Sequence, residues 1–302
     1  FLVAQMIRHL RIFLVIGSCV LFTGTIWADS LQVDYYSPGN ILRFADHLYD
    51  EQDYVRAAGE YLRYLFYSSA KADSITYKIG LCYRLGGEVS NAIKFFQKIP
   101  DEYTQSSLLP YAHYEIAYSY FLMEKYKLSV SHVNGNINNI KNAADRLRLK
   151  RLVGFCYLKE KRWSNAAFVF DSLVSISSDP GSKKSLLKLK SYAEEGKHLS
   201  LKSPVMAGVL STVFPGMGKL YCKRYKEALS SFIIIGIHGW QAYDGFHKKG
   251  RDSIKGWIFA TAGGIFYLGN IYGSTVSAHI YNRQLEKNLL AKIDVEINFY
   301  NP

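Results

Sequence analysis

Gly80–Phe96 reads GLCYRLGGEVSNAIKFF, and Gly154–Phe170 reads GFCYLKEKRWSNAAFVF. In both stretches a tyrosine follows the glycine by three residues, an alanine by twelve and a phenylalanine by sixteen. The same frame fits two other places with weaker matches: Ala45, Ala57 and Tyr61, and then Ala117, Tyr120, Ser129 and Val133. The four registers begin at residues 45, 80, 117 and 154, which gives a period of 35 to 37 residues.

This period, with small residues at two fixed positions and aromatic residues at others, predicts stacked pairs of helices. Gly80 and Gly154 would lie where the second helix of a pair crosses the first, because a larger side chain there would hold the helices apart. The pattern resembles the tetratricopeptide repeat. The resemblance implies a helical-hairpin solenoid over residues 29–200, ending in a further helix near Ser185–Leu199, that binds a protein or peptide.

The first helix of each repeat is the expected lining of a partner-binding surface. We expect six residues there to contact the partner: Tyr77, Lys78, Tyr114, Tyr118, Arg148 and Lys150. His113 and His132 look isolated, without a metal-ligand partner at useful spacing, so no metal site is expected. Cys82, Cys156 and Cys222 have no CxxC spacing and are interpreted as small buried residues.

The N-terminal stretch is typical of a secretory signal. Arg8 and Arg11 precede an apolar run, Ile12–Phe22, and a small residue, Ala28, offers a cleavage site. The prediction is a signal peptide over residues 1–28. An uncleaved anchor and a lipoprotein signal ending at Cys19 remain as alternatives.

The chain of 302 residues carries a formal net charge of +12, with 49% apolar and 21% charged residues. This composition excludes a disordered chain. The basic excess is densest in the apolar C-terminal third, which favours anionic lipid over nucleic acid as a partner.

Two uncharged stretches predict a helical hairpin in a membrane domain over residues 201–284. Ala228–Tyr243 has 16 residues and Gly256–Tyr281 has 26, and a spanning helix needs about 20 apolar residues. Small residues at near-regular steps predict close helix packing in lipid: Gly236, Ala260, Gly264, Gly269, Gly273 and Ser277. Asn270 and His279 are expected to form interhelical hydrogen bonds.

A short apolar helix, Pro204–Phe214, is expected before this hairpin, and a turn should stop it at Pro215, Gly216 and Gly218. The segments SPVMAG, LSTVFPGMGKLY and GNIYGSTVSAHIYN resemble an uncharacterised bacterial membrane domain with a P-G-x-G-x-x-Y turn, whose tyrosine is Tyr221 here. The resemblance implies membrane residence and brings no catalytic residue. A C-terminal tail covers residues 285–302. Its last stretch, AKIDVEINFY, alternates Ile293, Val295, Ile297 and Phe299 with polar residues and is expected to form a strand or to fray.

These patterns predict an all-α protein, a tetratricopeptide-like solenoid followed by a small helical membrane domain. The function expected is a non-enzymatic, membrane-anchored scaffold that binds a protein partner in the cell envelope, without cofactors. The alternative is an oligomeric transport or channel component built on the C-terminal helices. The expected location is the bacterial cell membrane, with the repeats periplasmic or extracytoplasmic. Membrane lipid is a further expected partner, and homo-oligomerisation through the membrane helices stays open.

Overall fold

The computed structural model describes residues 36–300, and every regular element in that range is helical. The predicted all-α fold class is thus confirmed for this range. The signal peptide predicted over residues 1–28 lies outside the described residues. Contacts divide the chain into two compact units, Phe1–Ala112 and His113–Pro302.

The first unit contains two helical hairpins. Helices α1 (Pro38–Asp50) and α2 (Tyr54–Tyr67) pack together, and so do α3 (Ala72–Leu85) and α4 (Val89–Glu102). A Cβ added at Gly80 would lie 2.6 Å from the Phe96 ring. Phe96 itself is fully buried. The glycine therefore lies at the crossing of α3 and α4, as its place in the repeat predicts.

The second unit begins within α5 (Leu109–Leu122) and continues with α6 (Tyr126–Asn136), α7 (Ala143–Lys159), α8 (Trp163–Ile176) and α9 (Pro180–Lys197). Gly154 repeats the contact of Gly80, because its added Cβ would lie 2.7 Å from the Phe170 ring. The third repeat departs from the frame at Ser129, which is nevertheless fully buried. Its hydroxyl donates a 2.8 Å hydrogen bond to the Ala117 carbonyl, so the polar atom is satisfied inside the pair.

The turn inside each hairpin has one backbone geometry. A residue with positive φ follows the small residue of the frame by seven positions, at Gln52, Gly87, Glu124 and Lys161. The amide after each donates to a carbonyl five residues earlier, as Glu88 does to Tyr83 and Arg162 does to Tyr157. Such a left-handed residue ends a helix and satisfies its last carbonyls. The backbone therefore repeats at the interval that the side chains predict.

The C-terminal helices are α10 (Pro204–Val213), α11 (Met217–Tyr221), α12 (Tyr225–Lys249) and α13 (Ile254–Tyr300). α12 and α13 pack together, so the two uncharged stretches do form a helical hairpin. They approach closely at Gly245, where an added Cβ would lie 2.6 Å from the Gly256 nitrogen.

No helix in the described range, residues 36–300, is both long and apolar enough to cross a membrane. The prediction that Gly256–Tyr281 qualifies as a spanning segment is therefore wrong. Although the segment lacks charges, its glycines, hydroxyl-bearing residues and Asn270 lower its mean hydropathy.

The tail is helical and continues α13 to Tyr300, so the expectation of a strand or a frayed end is wrong. Ile293 and Ile297, one helical turn apart, are buried in the core of the repeats, whereas Val295 is 70% exposed. Lys159 and Asp294 pair at 2.9 Å, and Lys188 and Glu296 pair at 2.7 Å. Residues i and i+4, such as Ile293 and Ile297, share a face in a strand and also in a helix. The alternating pattern was therefore compatible with both structures.

Candidate functional site

In the first unit, the predicted contact residue Lys78 is already engaged within the chain. Its ammonium lies 2.6 Å from an Asp46 carboxylate oxygen and 5.3 Å from the centre of the Tyr61 ring. The Tyr61 hydroxyl donates to the same carboxylate. Burial would raise the pKa of Asp46, but the hydrogen bonds from Lys78 and Tyr61 leave it below its ordinary value. Tyr77 packs on the Phe96 ring at 5.4 Å.

In the second unit, three of the predicted residues come together. The Tyr114 and Tyr118 rings stack one helical turn apart, 5.8 Å between centres, and the Arg148 guanidinium lies 3.6 Å from the centre of the Tyr114 ring. Arg148 is exposed. Burial raises the pKa of Tyr114, although the charge of Arg148 partly opposes this effect. Lys150 is also exposed.

Sequence reasoning missed the continuation of this stack. Phe121 stacks on Tyr118 at 6.1 Å, and Tyr126 tilts against Phe121 at 5.5 Å. The spacing of residues 114, 118 and 121 is that of one helix face, so helical periodicity could have identified Phe121. We call Tyr114, Tyr118, Phe121 and Arg148 the aromatic–arginine cluster.

His113 and His132 are not isolated, contrary to the sequence-based interpretation. The Nδ1 atom of His113 lies 3.2 Å from the Nε2 atom of His132. Burial, and then the neighbouring His113, lower the pKa of His132 to about 4. No group of three or more His, Cys, Asp or Glu side chains that could hold a metal ion occurs among residues 36–300.

The C-terminal turn is a packed junction between helices. Gly216 has φ +90° and is the N-cap of α11, so the stop predicted at Pro215 and Gly216 is found there. A Cβ added at Gly218 would lie 1.9 Å from the Ala207 carbonyl oxygen. The Gly218 amide donates to the Ser211 hydroxyl at 2.9 Å, and that hydroxyl lies 2.7 Å from the Ser274 hydroxyl. Only glycine fits at position 218.

Lys202 joins the three C-terminal motifs. Its ammonium lies 4.4 Å from the centre of the Tyr221 ring. Its amide donates to Asn282 at 2.7 Å, and Asn282 donates back to its carbonyl at 2.9 Å. The Ser203 amide donates to the Tyr221 hydroxyl at 3.3 Å. The motifs therefore meet as packing elements.

The small residues proposed for helix packing are placed differently from the prediction. No atom lies within 4 Å of a Cβ added at Gly236, Gly264 or Gly269, apart from the neighbouring backbone. Gly273 faces the Lys219 side chain at 3.5 Å, Ser277 is fully buried, and Ala260 is partly buried. Between Ala260 and Ser277, the closest glycine contact belongs to Gly263, whose added Cβ would lie 3.1 Å from the His238 Cβ. The face of α13 that packs against α12 here therefore contains Gly263, one residue before the expected Gly264.

The C-terminal helices bury polar residues and expose large apolar ones. Ser211 and Ser274 are fully buried and Asn270 is 3% exposed, whereas Trp240 is 71% and Leu268 68% exposed. Large exposed side chains also follow other turns of these helices: Val205, Val213, Leu229, Ile237, Trp257, Ile258, Ile265 and Tyr272. The repeats bury large aliphatic and aromatic side chains in their cores, although a few, such as Phe66 and Phe168, are exposed on their surface.

The thiols of Cys82, Cys156 and Cys222 are free and buried, as expected for small core residues. Burial raises the pKa of the Cys82 and Cys156 thiols to about 12 in each case. These groups are therefore protonated and unreactive while the repeats stay closed.

Residues 76–106 match the family model described as Tetratricopeptide repeat. The matched segment contains most of α3 and all of α4, including the contact between Gly80 and Phe96. No curated protein matches the chain. The match thus supports a tetratricopeptide repeat at residues 76–106, one of the two places where the sequence pattern is strongest. Repeats of this kind suggest a role in protein–protein interaction.

Proposed function

We propose that the chain is a non-enzymatic scaffold that binds a protein segment through its repeats and is attached to a membrane by its C-terminal helices. The repeat match supports protein binding, because stacked helical hairpins present extended surfaces to peptides and helices. The inverted burial of the C-terminal helices is the observation that supports the membrane part.

The accessible side of the aromatic–arginine cluster, formed by exposed Arg148 and half-buried Tyr118 and Phe121, is the proposed contact surface. Tyrosine and arginine contribute more than other residues to protein interfaces, because they cover a large area and also form polar contacts. The Tyr114 ring holds Arg148 in place while leaving that side chain exposed. Exposed Lys150 on the same helix adds a second positive charge. The preferred partner is therefore a segment with acidic residues beside an apolar or aromatic side chain.

The membrane part follows from what the C-terminal helices bury. In lipid, small and hydroxyl-bearing residues pack helices together, while large apolar residues face the acyl chains. Ser211, Ser274 and Gly218 form such a contact, and Leu268 and Trp240 face outward. Basic residues follow the apolar part of α12, at Lys248 and Lys249, where they would meet anionic headgroups.

The cellular arrangement belongs to the same proposal. A signal sequence over residues 1–28 would place the repeats outside the cytoplasm, at the bacterial cell membrane. Partner binding there would hold a soluble protein segment close to the membrane surface.

Site-specific photo-crosslinking tests the partner surface. The full chain carries a benzophenone amino acid at position 118 in its host cell, and a control chain carries it at position 168, where the native Phe168 is 77% exposed. We expect a discrete cross-linked protein from position 118 that weakens at least fivefold in the Arg148→Gln variant. Identical products from both positions, or no dependence on Arg148, would contradict the proposed surface.

Vesicle flotation tests the membrane part separately. The full chain is mixed with vesicles of phosphatidylcholine and phosphatidylglycerol. One variant replaces four exposed apolar residues of the C-terminal helices by serine: Leu229, Ile237, Ile258 and Leu268. A matched variant replaces four equally exposed residues of the repeats: Val55, Phe66, Phe168 and Ile176. Only the first variant should lose flotation. Equal behaviour of the two variants would refute membrane attachment by these helices.

A further inference from the structure

A cavity of about 350 Å³ lies between the C-terminal helices. Its polar side chains are Lys219 of α11, Ser231 of α12 and Asn270 of α13, and apolar walls come from Ile234, Ile265 and Phe266. Its volume is within the range of small-molecule sites, which are mostly apolar with a few convergent polar groups.

Asn270 is the unusual member of this lining. It is 3% exposed, and neither its amide nitrogen nor its amide oxygen has a hydrogen-bond partner among the described residues. The interhelical hydrogen bond expected for it from the sequence is therefore absent there. A buried polar group left unpaired costs about 1–3 kcal/mol. Because the unpaired amide lies beside an open cavity, it indicates that a bound ligand supplies its missing hydrogen bonds.

Lys219 supplies a positive charge to the same cavity. Its ammonium donates a 2.6 Å hydrogen bond to the Ser231 hydroxyl, and no carboxylate of the described range lies within ion-pair distance of it. Burial lowers the pKa of Lys219 and the charge of Arg224 lowers it further, while the charge of Glu227 partly opposes both effects. The ammonium has two further N–H groups, and an anion would compensate its charge.

We propose that this cavity binds an acidic amphiphile, with an oxyanion headgroup between Lys219 and Asn270 and an alkyl chain along Ile234, Ile265 and Phe266. The headgroup is a phosphate or a carboxylate, because both accept hydrogen bonds from an ammonium and an amide. A free inorganic anion would leave the aliphatic walls uncovered, and a neutral amphiphile would leave the charge of Lys219 uncompensated. The proposal goes beyond membrane attachment, because contact between the helices and bulk lipid does not require a buried amide.

Titration of the full chain in a neutral detergent tests the proposal, with native mass spectrometry as the readout. The probes are dodecyl phosphate, dodecanoate and inorganic phosphate. We expect one dodecyl phosphate or one dodecanoate molecule per chain, bound at least tenfold more tightly than inorganic phosphate. The two alkyl probes distinguish the phosphate headgroup from the carboxylate.

The variants separate the cavity from general charge and apolar effects. Asn270→Leu and Lys219→Met should each weaken the alkyl probe at least tenfold. Lys226→Met removes an equal charge from an exposed position outside the cavity and should leave affinity unchanged within twofold. Asn270→Leu removes an unpaired amide, so folding should survive the change.

A second pair of variants blocks the space itself. Gly269 lines the cavity and Gly264 does not, and a Cβ added at either residue meets no atom within 4 Å. Gly269→Leu should therefore abolish binding, whereas Gly264→Leu should retain it. The proposal is overturned if no alkyl probe binds one to one, if inorganic phosphate binds as tightly, or if both leucine variants behave alike. Vesicle flotation is a separate readout, so either proposal can fail alone.

Discussion

Replacing Gly80 by alanine should open the first unit locally, because the new methyl group and the Phe96 ring cannot both fit. The added Cβ would lie 2.6 and 2.7 Å from two ring carbons. Carbon atoms in contact lie about 3.5–4.0 Å apart, so the ring must move by about 1 Å. Phe96 has no exposed surface, and its neighbours must move with it.

The expected loss of stability is the difference between two terms. Inserting a methyl group into a packed core costs about 1–3 kcal/mol. Replacing glycine by alanine within a helix returns about 1 kcal/mol of that cost. Because Phe96 is fully buried, we take the upper half of the insertion cost, about 2–3 kcal/mol. We therefore expect a net loss of about 1–2 kcal/mol in the opening free energy, which is about a 5- to 30-fold change in the opening equilibrium.

Cys82 reports this opening, since it lies two residues after Gly80 and its thiol is buried. Thiol labelling of the full chain, read by peptide mass spectrometry, should accelerate about 5- to 30-fold at Cys82. Cys156 in the second unit provides the internal reference. The matching change Gly154→Ala should accelerate Cys156 in its turn, because its Cβ would meet the Phe170 ring at 2.7 Å.

Two variants control for effects of alanine itself. Gly59→Ala introduces the same methyl group into α2, where it meets no atom within 4 Å, so Cys82 labelling should stay constant or slow. Phe96→Leu should rescue part of the loss in Gly80→Ala, because the smaller side chain vacates the space of the ring. Equal labelling of Cys82 in Gly80→Ala and Gly59→Ala would refute the packing argument.

Three further changes test other parts of the structure by urea unfolding in neutral detergent. His132 has a pKa of about 4 in the folded chain and about 6.5 in the unfolded chain. The free energy of unfolding should therefore be highest above pH 6.5 and fall by up to about 1.4 kcal/mol per pH unit towards pH 4. His132→Gln should flatten this slope, and an unchanged slope would exclude this imidazole as its cause. Gly218→Ala, which brings a Cβ 1.9 Å from a carbonyl oxygen, should cost about 3 kcal/mol or more, while Gly236→Ala, in open space, should not destabilise; similar midpoints for the two would contradict the close packing. Gln52→Gly should raise stability by about 1 kcal/mol, because Gln52 has φ +62°; a lower midpoint would show that its side chain matters more than its backbone.

The repeats could be predicted from sequence because their information is local. Gly80 and Phe96 lie 16 residues apart, and both belong to one hairpin. The frame therefore identified the crossing point before any long-range contact was known. Docking of the tail could not be predicted in this way. Lys159 and Asp294 are 135 positions apart, and only the folded chain brings them together.

The candidate surface was predictable to the extent that it follows one helix face. Tyr114 and Tyr118 are four residues apart on α5, so their stacking follows from helical geometry. Lys78 was expected to be available to a partner, but Asp46, 32 residues earlier, holds its ammonium. Spacing on one helix says which residues share a face, and it does not reveal what a neighbouring helix brings to that face.

Part of the small-residue stripe, including Gly264 and Gly269, lies away from the helix contacts for a related reason. Four-residue spacing occurs on adjacent faces of α13, one containing Gly264 and the other containing Asn270 and Ser274. The second face packs, and its polar side chains are buried there. The choice between faces depends on which one complements α10 and α11, as the contact between Ser211 and Ser274 illustrates. A single helix sequence does not contain that information.

The repeats bury large side chains in their cores, whereas the contacts among α10, α11 and the first part of α13 bury small ones. Phe96 and Phe170 are fully buried in the repeats, whereas Leu268 and Trp240 face outward from the C-terminal helices. Transfer of a large apolar side chain from water to an apolar medium is favourable by about 1.5–3 kcal/mol. Outward-facing apolar residues therefore destabilise these helices in water and stabilise them in lipid. Because this opposition depends on the direction each side chain faces, an overall apolar content of 49% does not reveal it. Water favours the folded repeats, whereas lipid favours the outer surface of α12 and α13. For this reason we propose that the scaffold lies at the boundary between water and lipid.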